Sequence, residues 1–507
     1  MKSISKYFLF ALLSMPLLFG CGKLRDFGDT NVNPNGSAVP MTANLLTNVL
    51  SGIGTRASSA TAGYFCQYFS ETQYPTASLY SLPPVDFGGL YSGAMFDLQN
   101  IILHNQNPNT IVQASLSGSN QNQIVIARIL KCYYFWNITD QWGDVPYTEA
   151  LNADPFTYKF KTLTPKYDSQ EAIYKGLIAE LQMMVDSFDV AGEQVKGDIV
   201  YNGDLTKWQK FANSMRLLMA VRLSKVYPNA GDYAAEQATL ALAHPAGVIE
   251  NEDDNFKLAY PGEGYKNPWF GTYESRNDLG ESLFMVDLLN QLADPRQASF
   301  GSSTNGVPYG RNRASFMNAW FAANSTSYAK VLSDAYRSAT SELHIIHSSA
   351  VYLARAEAKE RGWVDDLVDP LSAKQAYEKG IETSFSRWGV STGLGTYLTN
   401  PLVNFSNATN QAERLDKIAL QKYIGLYPDG IQGWCEWRKS GVPALEPAQD
   451  ATNVTKEIPR RLVYGTGEYS SNRSNVMAAA DKIPLPVPTP AGATPGDTQD
   501  GRVWWDR

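Results

Sequence analysis

Along most of the chain, apolar side chains return every three or four residues, the spacing of one helix face. Residues 86–106 carry Leu90, Met95, Leu98, Ile101 and Ile102 in that register, and residues 121–141 carry Ile124, Ala127, Leu130, Tyr134 and Ile138. Residues 168–188 repeat it with Ile173, Leu177, Leu181 and Met184, and Asp168 is placed to cap the first turn. The sharpest helix is predicted over 204–227. Asp204 caps it, Pro228 stops it, and Trp208, Phe211, Ala212, Met215, Leu218, Met219 and Val226 share one face. A predicted pair follows at 341–361, ending at Gly362, and 370–387, opening on Asp369-Pro370. A last strong helix is predicted over 411–427. Only 256–260 and 461–465 read as strands. The predicted fold class is therefore mostly α with minor β, and the 341–387 pair has the length and small/aromatic alternation of tetratricopeptide-like helical pairs.

Long aromatic loops separate these helices, chiefly 60–85, 142–165, 256–280, 300–335 and 390–410. Such loops on a helical frame are expected to form a ligand face. Trp142-Gly143-Asp144-Val145-Pro146 reads as a helix stop, because Gly accepts positive φ and Val before Pro is pushed extended. Ile483 to Asp497, with five prolines, reads as an extended strap.

The N-terminus sets the compartment. Lys2 and Lys6 precede an apolar run from Tyr7 to Phe19, followed by Leu18-Phe19-Gly20-Cys21, which resembles a bacterial lipobox. The expected organisation is a lipoprotein signal peptide (1–20), a lipidated tether (21–40) acylated on Cys21, and a single helical domain (41–507). No later stretch reaches the ~18 apolar residues of a membrane span.

Composition narrows the function. At 44% apolar and 18% charged, the chain is globular, and at a net charge of −7 with no basic block it lacks a nucleic-acid footprint. Four His and four Cys argue against a His/Cys metal site or a disulfide scaffold, and Cys66 and Cys132 have apolar neighbours suited to buried free thiols. No GxSxG, HExxH, P-loop or GxGxxG motif occurs, so no cofactor is expected. His344 and His347 stand at i, i+3 near Glu342 but lack an evident third metal ligand. Glu250, Glu252, Asp253 and Asp254 alternate like calcium ligands, but Asn255 stands where a calcium loop needs Gly. No carboxylate pair announces a glycosidase.

What remains is aromatic: 28 Tyr, 21 Phe and 11 Trp, with Tyr exceeding Phe as expected where rings face water as well as core. Sugar C–H faces lie flat on such rings while their hydroxyls seek amides and charges at the rim. The candidate segments are Tyr64–Tyr91, Tyr265–Tyr273 and Phe316–Tyr328. Within them Trp269, Tyr273, Trp320, Tyr74 and Tyr80 are the candidate ligand-binding residues.

Several stretches, spread over most of the chain, jointly resemble the SusD/RagB family of Bacteroidota nutrient-binding lipoproteins. They include the Cys21 lipobox, Asp29-Thr30-Asn31-Val32-Asn33-Pro34-Asn35, Trp142-Gly143-Asp144-Val145-Pro146-Tyr147 and Lys207-Trp208-Gln209-Lys210-Phe211-Ala212-Asn213. Asp294-Pro295-Arg296, Ala354-Arg355-Ala356-Glu357-Ala358, Gln421-Lys422-Tyr423-Ile424-Gly425-Leu426 and Trp434-Cys435-Glu436-Trp437-Arg438 continue the series. The resemblance implies a helical, tetratricopeptide-like fold and a lipid-anchored place on the outer-membrane surface. It also implies a SusC-like TonB-dependent transporter as partner and a glycan as ligand. A peptide-binding relative on the same fold and a lipid-anchored glycosidase are the alternatives. No family motif fixes the ligand contacts.

Overall fold

The computed structural model describes residues 40–157 and 159–507, so the readings of the signal peptide, the Cys21 lipobox and most of the tether lie outside the described residues. Among the described residues, ten helices have eleven residues or more. They are α1 Thr42–Ala57, α2 Ala94–Gln106, α3 Asn120–Trp142, α4 Gln170–Val185 and α5 Leu205–Arg222. Then come α6 Tyr233–Ala243, α7 Ser348–Glu360, α8 Ala373–Arg387, α9 Gln411–Leu426 and α10 Gly430–Ser440. Successive helices pack as hairpins, α3 on α4, α5 on α6, α7 on α8 and α9 on α10. The hairpins stack through α4–α5, α5–α7 and α7–α9, so each covers the apolar face its neighbour cannot bury alone. This is the mostly helical frame expected from the apolar spacing.

The central helix is α3. Ser119 caps it by accepting the Asn122 N–H, and Gly143 ends it at φ 88°. It buries 18 of its 23 residues because α2, α4, α5 and α10 all lie against it. Close approach between α7 and α8 needs small side chains: Ala354, Ala356 and Ala358 are fully buried, and a Cβ on Gly380 would lie 2.7 Å from Leu353.

Several boundaries differ from expectation. Residues 86–106 are not one helix; Gly93, with ψ −111°, separates Gly88–Ser92 from α2. The helix expected to 227 leaves α geometry after Arg222 and tightens into the 3-10 turn Leu223–Lys225. Ser169 rather than Asp168 caps α4, and Ser372 caps α8 through a reciprocal box with Gln375, three residues beyond Asp369. Residues 341–361 are not one helix either. Leu343–Ile346 form strand β8, since adjacent β-branched Ile345 and Ile346 suit a pleated strand and find a partner in Phe256–Leu258. The expected strand at 461–465 is reduced to one bridge, Val85 to Tyr464.

The strands, in order, are β1 Phe69–Glu71, β2 Val145–Pro146, β3 Ala153–Asp154, β4 Lys159–Phe160, β5 Tyr167–Asp168, β6 Phe256–Leu258, β7 Leu279–Glu281 and β8. They form four two-stranded antiparallel ribbons: β1–β7, β2–β5, β3–β4 and β6–β8.

Charges lock the stack from inside. Glu357 of α7 meets Lys422 of α9 at 2.8 Å and Lys439 of α10 at 2.6 Å, and Glu436 completes the quartet. Beside it the Arg438 guanidinium lies 3.8 Å from the Trp434 ring and 4.7 Å from that of Trp505. The Trp505 indole donates to Asp140 Oδ1 at 2.8 Å, tying the C-terminus to α3. Cys66, Cys132 and Cys435 are buried free thiols, and burial pushes Cys435 up to about 12.

Candidate functional site

The two ribbon-anchored loops that follow β1 and β7 carry most of the candidate rings. In the first, Glu71 accepts from the backbone N–H and the hydroxyl of Ser78, closing the turn on which Tyr74 stands. In the second, the backbone of Glu281 donates to Ala329 O and accepts from Val307 N, stitching residues 300–330 onto β7. Inside that insertion, Asn312 accepts the Ala314 and Ser315 N–H groups and starts the turn leading to the short helix Asn318–Asn324.

These elements bring Tyr74 against Arg313, seven residues before Trp320. Tyr74 is 47% exposed, and the Arg313 guanidinium lies 4.4 Å from its ring centroid. Arg313 Nε donates to Asn318 Oδ1 at 3.3 Å, two residues before Trp320. Alongside, the Arg311 guanidinium covers the Phe316 ring at 4.0 Å and pairs with Asp450 at 3.2 Å. Trp320 and Phe321 are partly buried against a small separate core of Val307, Met317 and Tyr328. Two guanidinium–ring pairs, Arg313 on Tyr74 and Arg311 on Phe316, thus flank Asn312, with Trp320 on the short helix that follows. Planar groups of this kind offer flat faces for stacking and fixed donors for hydroxyl or carbonyl oxygens.

The other three candidates sit elsewhere. Trp269 is 1% exposed, with its ring 5.2 Å edge-on to Phe69; it follows the Asn267 cap of the turn Pro268–Thr272. Tyr80 is also 1% exposed; its hydroxyl accepts the Ala448 N–H, and burial pushes its phenol up to about 12. Tyr273 is half-buried: its hydroxyl donates to Leu279 O and accepts from Val331 N. Tyr64 and Tyr68 of the first segment are core residues. Sequence reading missed Arg311 and Arg313. Their alternation around Asn312, just before Phe316, is the signal that was available.

The 142–165 loop builds different concavities. Two adjoining cavities of about 440 and 460 Å³ flank the β3–β4 ribbon and share Leu151, Asn152 and Ala153. Their apolar rim carries Phe156, Phe160 and Leu163.

The two polar motifs are drawn into contacts with the protein itself. His344 is on β8 and His347 is the N-cap of α7, so the pair does not share a helix face. Burial pulls both imidazoles well below their usual range. Glu250 pairs with Arg355 and Asp254 with Lys210, which turns two of the four acidic groups onto protein cations. Among the described residues no group of three or more His, Cys, Asp or Glu could hold a metal ion.

A stacked-hairpin frame that presents aromatic loops defines a helical binding protein. The family model described as starch-binding and associating with the outer membrane (SusD-like) matches residues 34–465, and the chain belongs to that family. No curated protein matches the chain. Solved structures do. A chitin-binding SusD homologue from Flavobacterium johnsoniae is 22% identical with a TM-score of 0.73, covering 92% of this chain and 98% of its own. A chitin-binding protein at 26% identity has a TM-score of 0.71, over 92% of this chain and 99% of that one. A SusD homologue from Bacteroides vulgatus is 24% identical with a TM-score of 0.74, over 92% and 97%. No described helix is long and apolar enough to cross a membrane.

Proposed function

We propose that this chain is a non-catalytic nutrient-binding lipoprotein of the outer-membrane surface. It captures a glycan at the Tyr74–Trp320 face and passes it to a SusC-like TonB-dependent transporter. Acyl chains on Cys21, palmitate among them, hold it to the membrane. The observation that carries the reading is the exposed Tyr74–Arg313 stack, with Trp320 on the helix that follows Arg313, on the frame of a starch-binding family. Rings held at the surface bind sugar faces without excluding all water, which suits capture and release. Two of the structurally similar proteins are chitin-binding, so β-linked N-acetylglucosamine oligomers are the first ligands to test.

The test is binding of the purified chain to immobilised chitin, starch and mixed peptide pools, followed by affinity capture from outer-membrane extracts of its own cells. Retention on a glycan and recovery of a transporter barrel are expected. Retention on peptides alone would move the ligand to the peptide class, and release of reducing sugar would make the protein an enzyme.

A further inference from the structure

A separate pocket is lined by Glu252 and Asp253 of the acidic motif and by His344 of the histidine pair. It encloses about 320 Å³ between the turn Glu252–Asp254, β8, the end of α8 and residues 332–336. Arg387, the last residue of α8, lines it and is 9% exposed. Its Nη1 donates to Gly425 O at 3.1 Å, and it forms no ion pair among the described residues. The guanidinium rests 4.8 Å from the Trp388 ring centroid, and Tyr336 stands edge-on to that ring at 5.0 Å.

The neighbouring residue explains the charge pattern. Ser386 Oγ donates to Glu252 Oε2 at 3.1 Å, mooring a carboxylate beside Arg387 without joining the two charges. Asp253, also lining the pocket, is exposed and has no ion pair among the described residues. Of the other charges, Lys257 pairs with Glu342 at 2.8 Å, burial keeps His344 neutral, and the buried Asp429, whose charge acts on Arg387 without pairing with it, caps α10. Burial pulls Arg387 down to about 10, which still leaves it cationic at neutral pH. A buried cation with no carboxylate in ion-pair contact is costly unless something completes it. Here the cation, the unpaired carboxylates and two rings surround a volume at the lower end of small-ligand sites.

We infer that this pocket binds a small zwitterion, an α-amino acid with an apolar or aromatic side chain. Its carboxylate meets Arg387, its ammonium meets Glu252 and Asp253, and its side chain lies toward Trp388 and Tyr336. Both ends gain charge-assisted hydrogen bonds, and the planar guanidinium suits a carboxylate. None of the Tyr74–Trp320 face residues lines this pocket, so the two sites are separable.

The test is calorimetric titration of the full chain with L-phenylalanine, N-acetyl-L-phenylalanine and L-phenylalaninamide. Phenylalanine is expected to bind, and each blocked analogue to bind about tenfold more weakly. Glu252→Gln, at an exposed position, is expected to weaken phenylalanine about tenfold while leaving the N-acetyl analogue unchanged. Arg387→Gln is expected to abolish phenylalanine binding; if it melts early, the Glu252→Gln comparison stands alone. A Tyr74→Ala, Trp320→Ala double variant is expected to bind phenylalanine normally. The inference is overturned if millimolar phenylalanine does not bind, or if either blocked analogue binds as well as the free amino acid.

Discussion

At the scale of single residues, burial decides what each polar side chain does. Glu281 is fully buried on β7; among the described residues its carboxylate has one hydrogen-bond partner, Gln297 Nε2 at 3.3 Å, and burial pushes it up to about 8. The folded state therefore holds this proton more tightly than the unfolded chain. The resulting stabilisation is complete below the ordinary carboxyl range and is lost as pH rises through about 8. Thermal melts should show the wild type losing stability between about pH 5 and pH 8, while Glu281→Gln, which has no proton to lose, declines less. Equal declines would mean that Glu281 is not the responsible group. The same rule separates Tyr74 from Tyr80. Six residues apart in one loop, they look alike in sequence, yet only Tyr74 faces solvent. Which ring is spent on packing depends on Ala448 and Arg313, hundreds of residues away, and no local pattern records that.

At the scale of elements, helix contacts are set by what a Cβ would meet. The Gly433 position in α10 faces the Tyr68 ring, with an ideal Cβ 2.4 Å from it, while Tyr68 holds Tyr423 O through its hydroxyl. Gly433→Ala should cost about 1–3 kcal/mol by overpacking. Gly395, in the short helix Leu394–Thr399, has open space around it, so Gly395→Ala should stabilise by about 0.5–1 kcal/mol. Urea midpoints moving in opposite directions would verify both; a shift of one sign would refute the packing argument. The long helices were legible because their apolar faces repeat at one period over many turns. Strand β8 was not. Leu343 to Ile346 is too short to show a period, and its partner β6 is some ninety residues earlier.

At the scale of the whole molecule, the last residues close the stack. Trp505 fills a buried position against α3, and Asp506 takes Lys225 and Arg460 at 2.8 Å each. Truncation after Arg502 removes a buried ring and takes Asp506 from three cations, Lys225, Arg460 and Arg502, so a loss of about 3–5 kcal/mol in urea unfolding is expected. An unchanged midpoint would show that the C-terminus is an appendage. The family frame itself was readable from motif order, because those motifs fix helix packing. Of the proposed face, the rings were legible as candidates and the guanidinium groups were not, because those that stack on rings are recruited across loops.

On the proposed function, the Tyr74–Trp320 face binds a saccharide. The direct measurement is the affinity of the chain for chitin and starch oligosaccharides, wild type against the Tyr74→Ala, Trp320→Ala double variant, with melting temperatures recorded alongside. Saccharide binding that falls at least about tenfold in the variant, at an unchanged melting temperature, is the expected result. Equal affinity in the two proteins, or no saccharide bound by either, would contradict it.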